Sequence, residues 1–320
     1  MKIVTDPAEF PAELEPTAIT IGKFEGLHFG HRRLISELRL VAQKRQLNPV
    51  VVTFDRHPLT LVAPEKAPVP LVSVTQKTDL IARQNVAATV VLAFTRELSS
   101  LTPLEFVRDL LVRQLRMRAI VIGRDFKFGN KGLGNVEFLQ DHAHEFGYEV
   151  IVVDDELGDN GRRASSTWVR ECLDIGDVEN ATEVLGRYHE VRGTVVHGAK
   201  RGRELGFPTA NLEPETLEGF IPADGVYAGW VHIGADAHPA AISIGNNPTF
   251  EGVPQKQVEA HIIDVTGIDI YGEQVRVSFV RRLRGMKKFD SLDALIDRMQ
   301  LDVDETRLLL QGDQNDRGIW

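Results

Sequence analysis

The hydrophobic pattern changes character halfway along the chain. In the first half, short Val- and Ile-rich runs stand at Ala18–Ile21, Val50–Phe54, Thr89–Ala93, Ala119–Ile122 and Val150–Val153, bounded by Gly, Pro or Asp. Short apolar runs without polar alternation predict strands buried on both faces. Stretches of helical period lie between them. His31–Gln46 carries Leu34, Ile35, Leu38 and Val41 on one stripe. Thr102-Pro103-Leu104-Glu105 has the form of a capping box with proline at the first helical position, opening a helix to about Met117. Asn135–Phe146 ends at Gly147, a C-cap signal. Alternating strands and helices predict an α/β unit, a Rossmann-like parallel sheet with helices on both faces. Such sheets bind ligands at the carboxyl ends of their strands.

After Gly186 the apolar runs crowd together, at Glu190–Val196, Val226–Ile233, Ala240–Ile244, Val258–Ile263 and Gln274–Val280. Turn residues at Pro222–Gly225 and Gly245–Pro248 separate them, with little between that could form a crossover helix. The spacing predicts a small antiparallel β-barrel, with a terminal helix at about Leu292–Leu310 packed on it. A helix at Asp177–Leu185 is expected to connect the halves. The boundary falls near 176–188, giving expected domains of 1–180 and 185–311 and a loose polar tail at 312–320. A length of 320 residues agrees with about two domains.

Composition narrows the function classes. At 42% hydrophobic and 26% charged residues, the chain is neither disordered nor fibrous. It has no apolar run of 18 residues, so no membrane span is expected. The start, MKIVTDPAEFPAELEP, has acids and prolines where a signal peptide needs an apolar core. A lone cysteine, Cys172, excludes an intrachain disulfide and a cysteine-rich zinc site, and a cytoplasmic location is expected. The net charge of −9 argues against nucleic acid as a partner but leaves room for a local cationic phosphate site.

Such a site is written after the first buried run, in Gly22-Lys23-Phe24-Glu25-Gly26-Leu27-His28-Phe29-Gly30-His31. Three glycines let backbone approach a ligand, and the following helix start offers free N–H groups and a positive dipole end. Two imidazoles there can donate to phosphoryl oxygens as charge develops. The same His-x-x-His also fits half a metal site, although no Cys or paired carboxylate with ligand spacing accompanies it. The Gly-x-Gly-x-x-Gly dinucleotide fingerprint is absent.

The segment resembles the His-x-Gly-His signature of the nucleotidyltransferase superfamily, in its flavin-linked form Gly-x-Phe-Asp-Gly-x-His-x-Gly-His. It departs at Glu25, where the family usually has Asp, so the acid has one more methylene of reach. Thr53-Phe54-Asp55-Arg56-His57-Pro58 is similar to the family's Thr-Phe-x-x-His-Pro, and Gly123-Arg124-Asp125-Phe126-Lys127-Phe128-Gly129 to its Gly-x-Asp-Phe-x-Phe-Gly. Ser165-Ser166-Thr167-Trp168-Val169-Arg170 is similar to its Ser-Ser-Thr-x-Ile/Val-Arg; by itself it reads equally as an N-cap followed by a surface arginine. Residues 1 to about 180 thus resemble the FMN adenylyltransferase (FAD synthetase) module. The resemblance implies an ATP and phosphate site at Gly22, Phe24, Gly26, His28, His31, Ser166, Thr167 and Arg170, with His28, His31 and Arg170 catalytic. It implies FMN contacts at His57, Pro58, Asp125 and Phe128.

In the second half, Gly193–Asn211 includes Gly193-x-x-x-x-Gly198, but Ala199 and Arg201 stand where a P-loop needs Lys and Ser or Thr. What remains is a basic, glycine-rich loop with Lys200, Arg201 and Arg203, then Pro208-Thr209-Ala210-Asn211. Thr209 and Asn211 share a face in an extended segment and could hold Mg²⁺ beside nucleotide phosphates. A basic surface turn before a strand would look the same. The stretch resembles the riboflavin kinase signature Gly-x-x-x-Gly-Phe-Pro-Thr-Ala-Asn. Gly225–Gly229, Ser243–Phe250, Val258–Ile262 and Tyr271-Gly272 match its later segments. The resemblance, over about 185–311, implies ATP contacts at Gly198, Lys200, Gly202, Gly206, Pro208, Thr209 and Asn211. It also implies Glu259 as catalytic base and a flavin-side flap with Arg284 and Phe289. Lys287 departs from it, standing where the family often has an acid.

Together these resemblances imply a bifunctional transferase. One module phosphorylates riboflavin to FMN with ATP and Mg²⁺, and the other adenylylates FMN to FAD. Partners are then the small-molecule substrates, with FMN- or FAD-requiring apoproteins downstream. The competing readings are another nucleotidyltransferase with an appended domain, and a flavin-binding regulator with an impaired adenylyltransferase site.

Overall fold

The computed structural model describes residues 1–158, 161–198, 205–246, 256–265 and 267–311. The chain forms two compact units, Met1–Ser165 and Ser166–Trp320.

In the first unit, β1 (Lys2–Val4), β2 (Thr17–Ile21), β3 (Asn48–Phe54), β4 (Ala88–Leu92), β5 (Met117–Gly123) and β6 (Glu149–Val153) form one sheet in the order β1-β4-β3-β2-β5-β6. Every pairing is parallel. Alternate residues explain why the runs are apolar throughout. Ile19, Ile21, Val50, Val52, Ile120 and Ile122 enter one core, while Ala18, Val51, Ala119 and Val121 enter the other. The strand order reverses at β2, which has β3 on one side and β5 on the other. The segments after these three strands therefore emerge side by side at the carboxyl edge, where open α/β sheets bind ligands.

Helix α1 (Phe29–Arg45) buries Ile35, Leu38 and Ala42 and ends at Gln46 in the left-handed conformation. Helix α2 (Val74–Ala82) starts with a complete capping box of Ser73 and Gln76, and α3 (Val136–Phe146) runs from an Asn135 N-cap to a left-handed Gly147. The Thr102–Glu105 capping box forms as expected, but beyond Pro103–Glu105 the helix widens to a π-helical stretch, Phe106–Gln114. Met117 then begins β5 rather than ending the helix.

The second unit starts with α4 (Ser166–Asp174) and α5 (Val178–Leu185). Both belong to the barrel unit: Arg282 donates to the Ile175 carbonyl (2.7 Å), and Arg281 to Glu179 (2.7 Å). Strands β7 (His189–Val196), β8 (Ala210–Leu212), β9 (Gly225–Ile233), β10 (Asp236–Asn246), β11 (Lys256–Ile262) and β12 (Gln274–Arg284) close a barrel in the order β10-β11-β8-β7-β12-β9. Closure pairs both edges of every strand and removes exposed edges. Tyr227, Val231, Val277 and Phe279 are fully buried in β9 and β12. Gly245 and Asn246, expected in a turn, extend β10 instead. Strand β12 runs past Val280 to Arg284 through two register shifts. Helix α6 (Leu292–Leu310) follows, capped by Ser291. The expected turn residues 247–248 and the tail 312–320 lie outside the described residues. Among the described residues, no helix is long and apolar enough to cross a membrane.

Candidate active sites

The turn between β2 and α1 is held under strain. Phe24 and Leu27 have φ of 48° and 47°, a conformation bulky residues rarely take, and Gly26 has φ of 70°. Burial offsets that cost, because Phe24 and Leu27 are 0% and 2% exposed in the core around Ile35 and Leu38. Gly22 faces the Phe24 ring, where a Cβ would approach to 3.2 Å. Phe24 is thus a support beneath the turn, its ring 5.1 Å from that of His31.

His28 is the α1 N-cap residue, and its ring stacks on that of His31 with centroids 3.7 Å apart. Gly30 makes this possible: a Cβ there would lie 3.3 Å from both His28 Nδ1 and the Ala164 methyl. His31 Nδ1 is buried with no hydrogen-bond partner among the described residues. Burial holds the His31 pKa well below its ordinary value, helped by His28, Lys23 and Lys77. His31 is therefore neutral near pH 7, and a neutral imidazole can still donate one hydrogen bond to a phosphoryl oxygen.

The segment after β3 meets this turn. His57 Nδ1 accepts from the Leu59 amide (3.1 Å). Nε2 lies 3.3 Å from Lys23 Nζ. Burial, then Lys23 and Lys77, lower the His57 pKa to about 4. An uncharged imidazole beside an ammonium leaves a net positive charge here, which suits an anion.

Lys77, on α2, was not among the residues the motifs singled out. Its ammonium donates to the Phe54 carbonyl (2.7 Å) and reaches the Lys23 carbonyl (3.4 Å), tying the glycine-rich turn to the end of β3. Thr53 Oγ1 donates to the same Lys23 carbonyl (3.1 Å). The Ser73-x-x-Gln76 capping box was the available sequence signal for this helix.

Burial lowers the Lys77 pKa from 10.5 to about 8, with Asp55 opposing. Between these values the unfolded chain keeps a proton that folded Lys77 releases, so stability rises with pH across the window. The unfolding free energy of the wild type relative to Lys77→Met should increase by roughly 2 kcal/mol from about pH 8 to about pH 10. Urea titrations across that range measure it, and a flat difference would contradict the depressed pKa.

The other two motifs are less concentrated. Asp125, after β5, is exposed and pairs with Arg163 (2.8 Å). Phe128 is 7% exposed and packs among Phe106, Phe126 and Phe138, so this expected FMN contact turns inward to the core instead. Ser166, Thr167 and Arg170 open α4, in the second unit, where Trp168, Val169, Cys172 and Leu173 form the buried face. Arg170 is half-buried; burial lowers its pKa and Asp174 opposes the shift.

The barrel carries a cavity of about 710 Å³, lined by Thr209, Ser243, Glu259, His261, Arg284 and Phe289 among others. Strand register explains the grouping. Glu259 on β11 pairs with Asn211 on β8 and with Ser243 on β10. Paired residues on adjacent strands point to the same face. The Asn211 amide donates to Thr209 Oγ1 (3.2 Å) and to its carbonyl (3.2 Å). Gly198 passes so close that a Cβ would lie 2.5 Å from the Asn211 amide. Gly206 turns with φ of 88° before Pro208, whose carbonyl contacts His261 Nδ1 (2.8 Å). The hydroxyl, amide and carboxylate oxygens form a hard-donor set that fits Mg²⁺. Lys200 and Gly202 lie outside the described residues, as do Arg201 and Arg203.

Comparison with known proteins matches both halves. Residues 10–168 match the FAD synthetase family model, and residues 185–310 match the riboflavin kinase model. The chain is 36% identical over 285 residues to the bifunctional riboflavin kinase/FMN adenylyltransferase of Escherichia coli strain K12, covering 89% of this chain and 90% of that one. It is 33% identical over 290 residues to the Listeria monocytogenes protein of the same name, covering 90% and 91%. A crystal structure described as a macrolide-efflux protein from Streptococcus pneumoniae superposes with a TM-score of 0.86 at 33% identity, covering 95% of this chain and 98% of that one.

Proposed function

The chain belongs to the bacterial bifunctional riboflavin kinase/FMN adenylyltransferase family, and from that premise we propose which of its residues perform each reaction. The enzyme phosphorylates riboflavin with ATP to give FMN and ADP, then adenylylates FMN with a second ATP to give FAD and pyrophosphate.

The kinase assignment is carried by the register that sets Glu259 opposite Asn211 at the wall of the barrel cavity. Glu259 takes the proton of the ribityl 5′-hydroxyl as that oxygen attacks the γ-phosphorus of ATP. The bond from γ-phosphorus to the bridging oxygen breaks, and ADP leaves. Thr209 and Asn211 hold Mg²⁺, which when bound neutralises charge on the phosphates. Gly198, Lys200, Gly202, Gly206 and Pro208 provide the loop along the nucleotide. Phe289 faces the flavin.

In the adenylyltransferase the nucleophile is the FMN phosphate, already ionised, so no strong base is required. An FMN oxygen attacks the α-phosphorus of ATP and pyrophosphate departs. Positioning and neutralisation of charge carry the rate. His28 and His31 donate to phosphoryl oxygens. The backbone at Gly22, Phe24 and Gly26 lets the phosphates approach. Ser166, Thr167 and Arg170 contribute phosphate contacts by their match to the family motif. His57 and Pro58 serve FMN, with Asp125. We place the enzyme in the cytoplasm, with riboflavin, FMN and ATP as its small-molecule partners and flavin-requiring apoproteins as recipients.

Incubation with riboflavin, ATP and Mg²⁺, followed by chromatography of the flavins, tests the reading. FMN and FAD should accumulate in turn, and chelation of Mg²⁺ should stop FMN formation. Thr209→Val should raise the Mg²⁺ concentration needed for half-maximal FMN formation by roughly tenfold and leave FAD formation from FMN unchanged. Unchanged riboflavin would overturn the reading. A normal Mg²⁺ requirement in Thr209→Val would remove Thr209 from the metal site.

A further inference from the structure

The chemistry above gives no role to the buried charge of Asp302. Asp302 on α6 is 3% exposed and lies at the wall of the barrel cavity. A lone carboxylate there would be strongly disfavoured. Two guanidinium groups hold it. Arg284, the last residue of β12, donates from Nε to both carboxylate oxygens (3.1 and 3.0 Å) and from Nη2 to Oδ2 (2.7 Å). Arg298, one turn earlier on α6, donates from Nε (2.9 Å) and Nη2 (2.8 Å) to Oδ1.

The two arginines differ in what they touch next. The Arg284 guanidinium lies over the Phe289 ring, its central carbon 5.7 Å from the centroid. Phe289 belongs to segment 285–291, which joins β12 to α6 and has no strand or helix of its own. That segment supplies Met286, Lys287, Lys288 and Phe289 to the cavity wall. Arg298 is not among the lining residues. Asp302 thus pairs with both cations, although Arg298 also meets Glu305 (3.7 Å), and through Arg284 it steadies a wall that lacks regular hydrogen bonding. Without its charge Arg284 would lose the carboxylate that holds it and would leave the Phe289 ring, whereas Arg298 would keep Glu305.

We propose that Asp302 is a positioning residue for riboflavin in the kinase reaction, fixing segment 285–291 against the flavin through Arg284 and Phe289. The proposal rests on reading the barrel cavity as the kinase site. It differs from a plain staple between barrel and helix in its kinetic signature, because a misplaced flavin wall weakens riboflavin binding and leaves the phosphate machinery at Thr209, Asn211 and Glu259 in place.

The test uses the full chain, with riboflavin and ATP varied separately and folding followed by circular dichroism and thermal melting. Asp302→Asn should raise the KM for riboflavin roughly 10- to 100-fold, with kcat and the KM for ATP unchanged. Asp302→Glu should recover most of the loss. Arg298→Gln should keep the wild-type riboflavin KM although it removes a partner of the same carboxylate. A folded Asp302→Asn enzyme with normal riboflavin KM, or one that loses only kcat, overturns the proposal. So does an Arg298→Gln enzyme with the same riboflavin defect. Should Asp302→Asn fail to fold, Arg284→Gln leaves Asp302 paired to Arg298 and must show the same selective rise in KM. Absence of FMN formation by the wild type would instead defeat the kinase reading itself.

Discussion

Glu259→Gln stops FMN formation from riboflavin while supplied FMN is still converted to FAD. The ribityl hydroxyl is a poor nucleophile until its proton is taken, and loss of a general base costs about 10²- to 10⁴-fold in rate. The substitution keeps the side-chain volume and leaves β11 paired to β8 and β10 on both sides, so the barrel is not at risk. Chromatographic separation of flavins after incubation with either substrate measures both activities on one sample. Retention of full kinase rate would remove Glu259 from the chemistry. Loss of both activities in a folded protein would defeat the division of labour between two sites.

His28→Ala produces the converse pattern, with FMN formed at the normal rate and FAD formation reduced about 10²- to 10³-fold, the cost of removing one preorganised donor to a developing charge. The α1 N-cap does not depend on the imidazole, since His28 makes no side-chain capping bond. The variant also tests the environment of its neighbour. His28 is one of the charges that hold the His31 pKa down, although burial is the larger cause. The His31 ring should therefore titrate at higher pH in His28→Ala than in the wild type, measurable by NMR of its ring protons. A rate loss without movement of the His31 titration would mean that the two rings act independently despite their stacking.

The architecture was largely legible from short-range pattern. Five of the parallel strands are the expected apolar runs, four of them buried and β6 only half-buried, and their ends lie within a few residues of the expected places. The exceptions share a cause. Strand β1 escaped notice because only Val4 of its three residues is buried. Helix α2 escaped because Gln76, Lys77 and Thr78 are polar yet buried, which a hydrophobic pattern counts as surface. The π-helical widening after Glu105 leaves no mark on composition at all.

The motif residues divide in the same way. The side chains of Phe24 and Phe128 stand within phosphate- and flavin-site motifs, yet both enter cores. A motif shows that a segment matters and leaves open which atoms face the ligand, because side-chain direction is set by backbone dihedrals such as the positive φ of Phe24. What the sequence determined by itself was the class of each half and its chemistry, since those depend on local periodicity and on motifs contiguous in the chain. Tertiary structure alone decided which distant groups meet: Lys77 with the turn at Lys23, Glu259 with Asn211, and Arg284 with Asp302. Those encounters set charge balance and pKa. They arise from strand register and helix packing, which bring together residues that no local pattern relates.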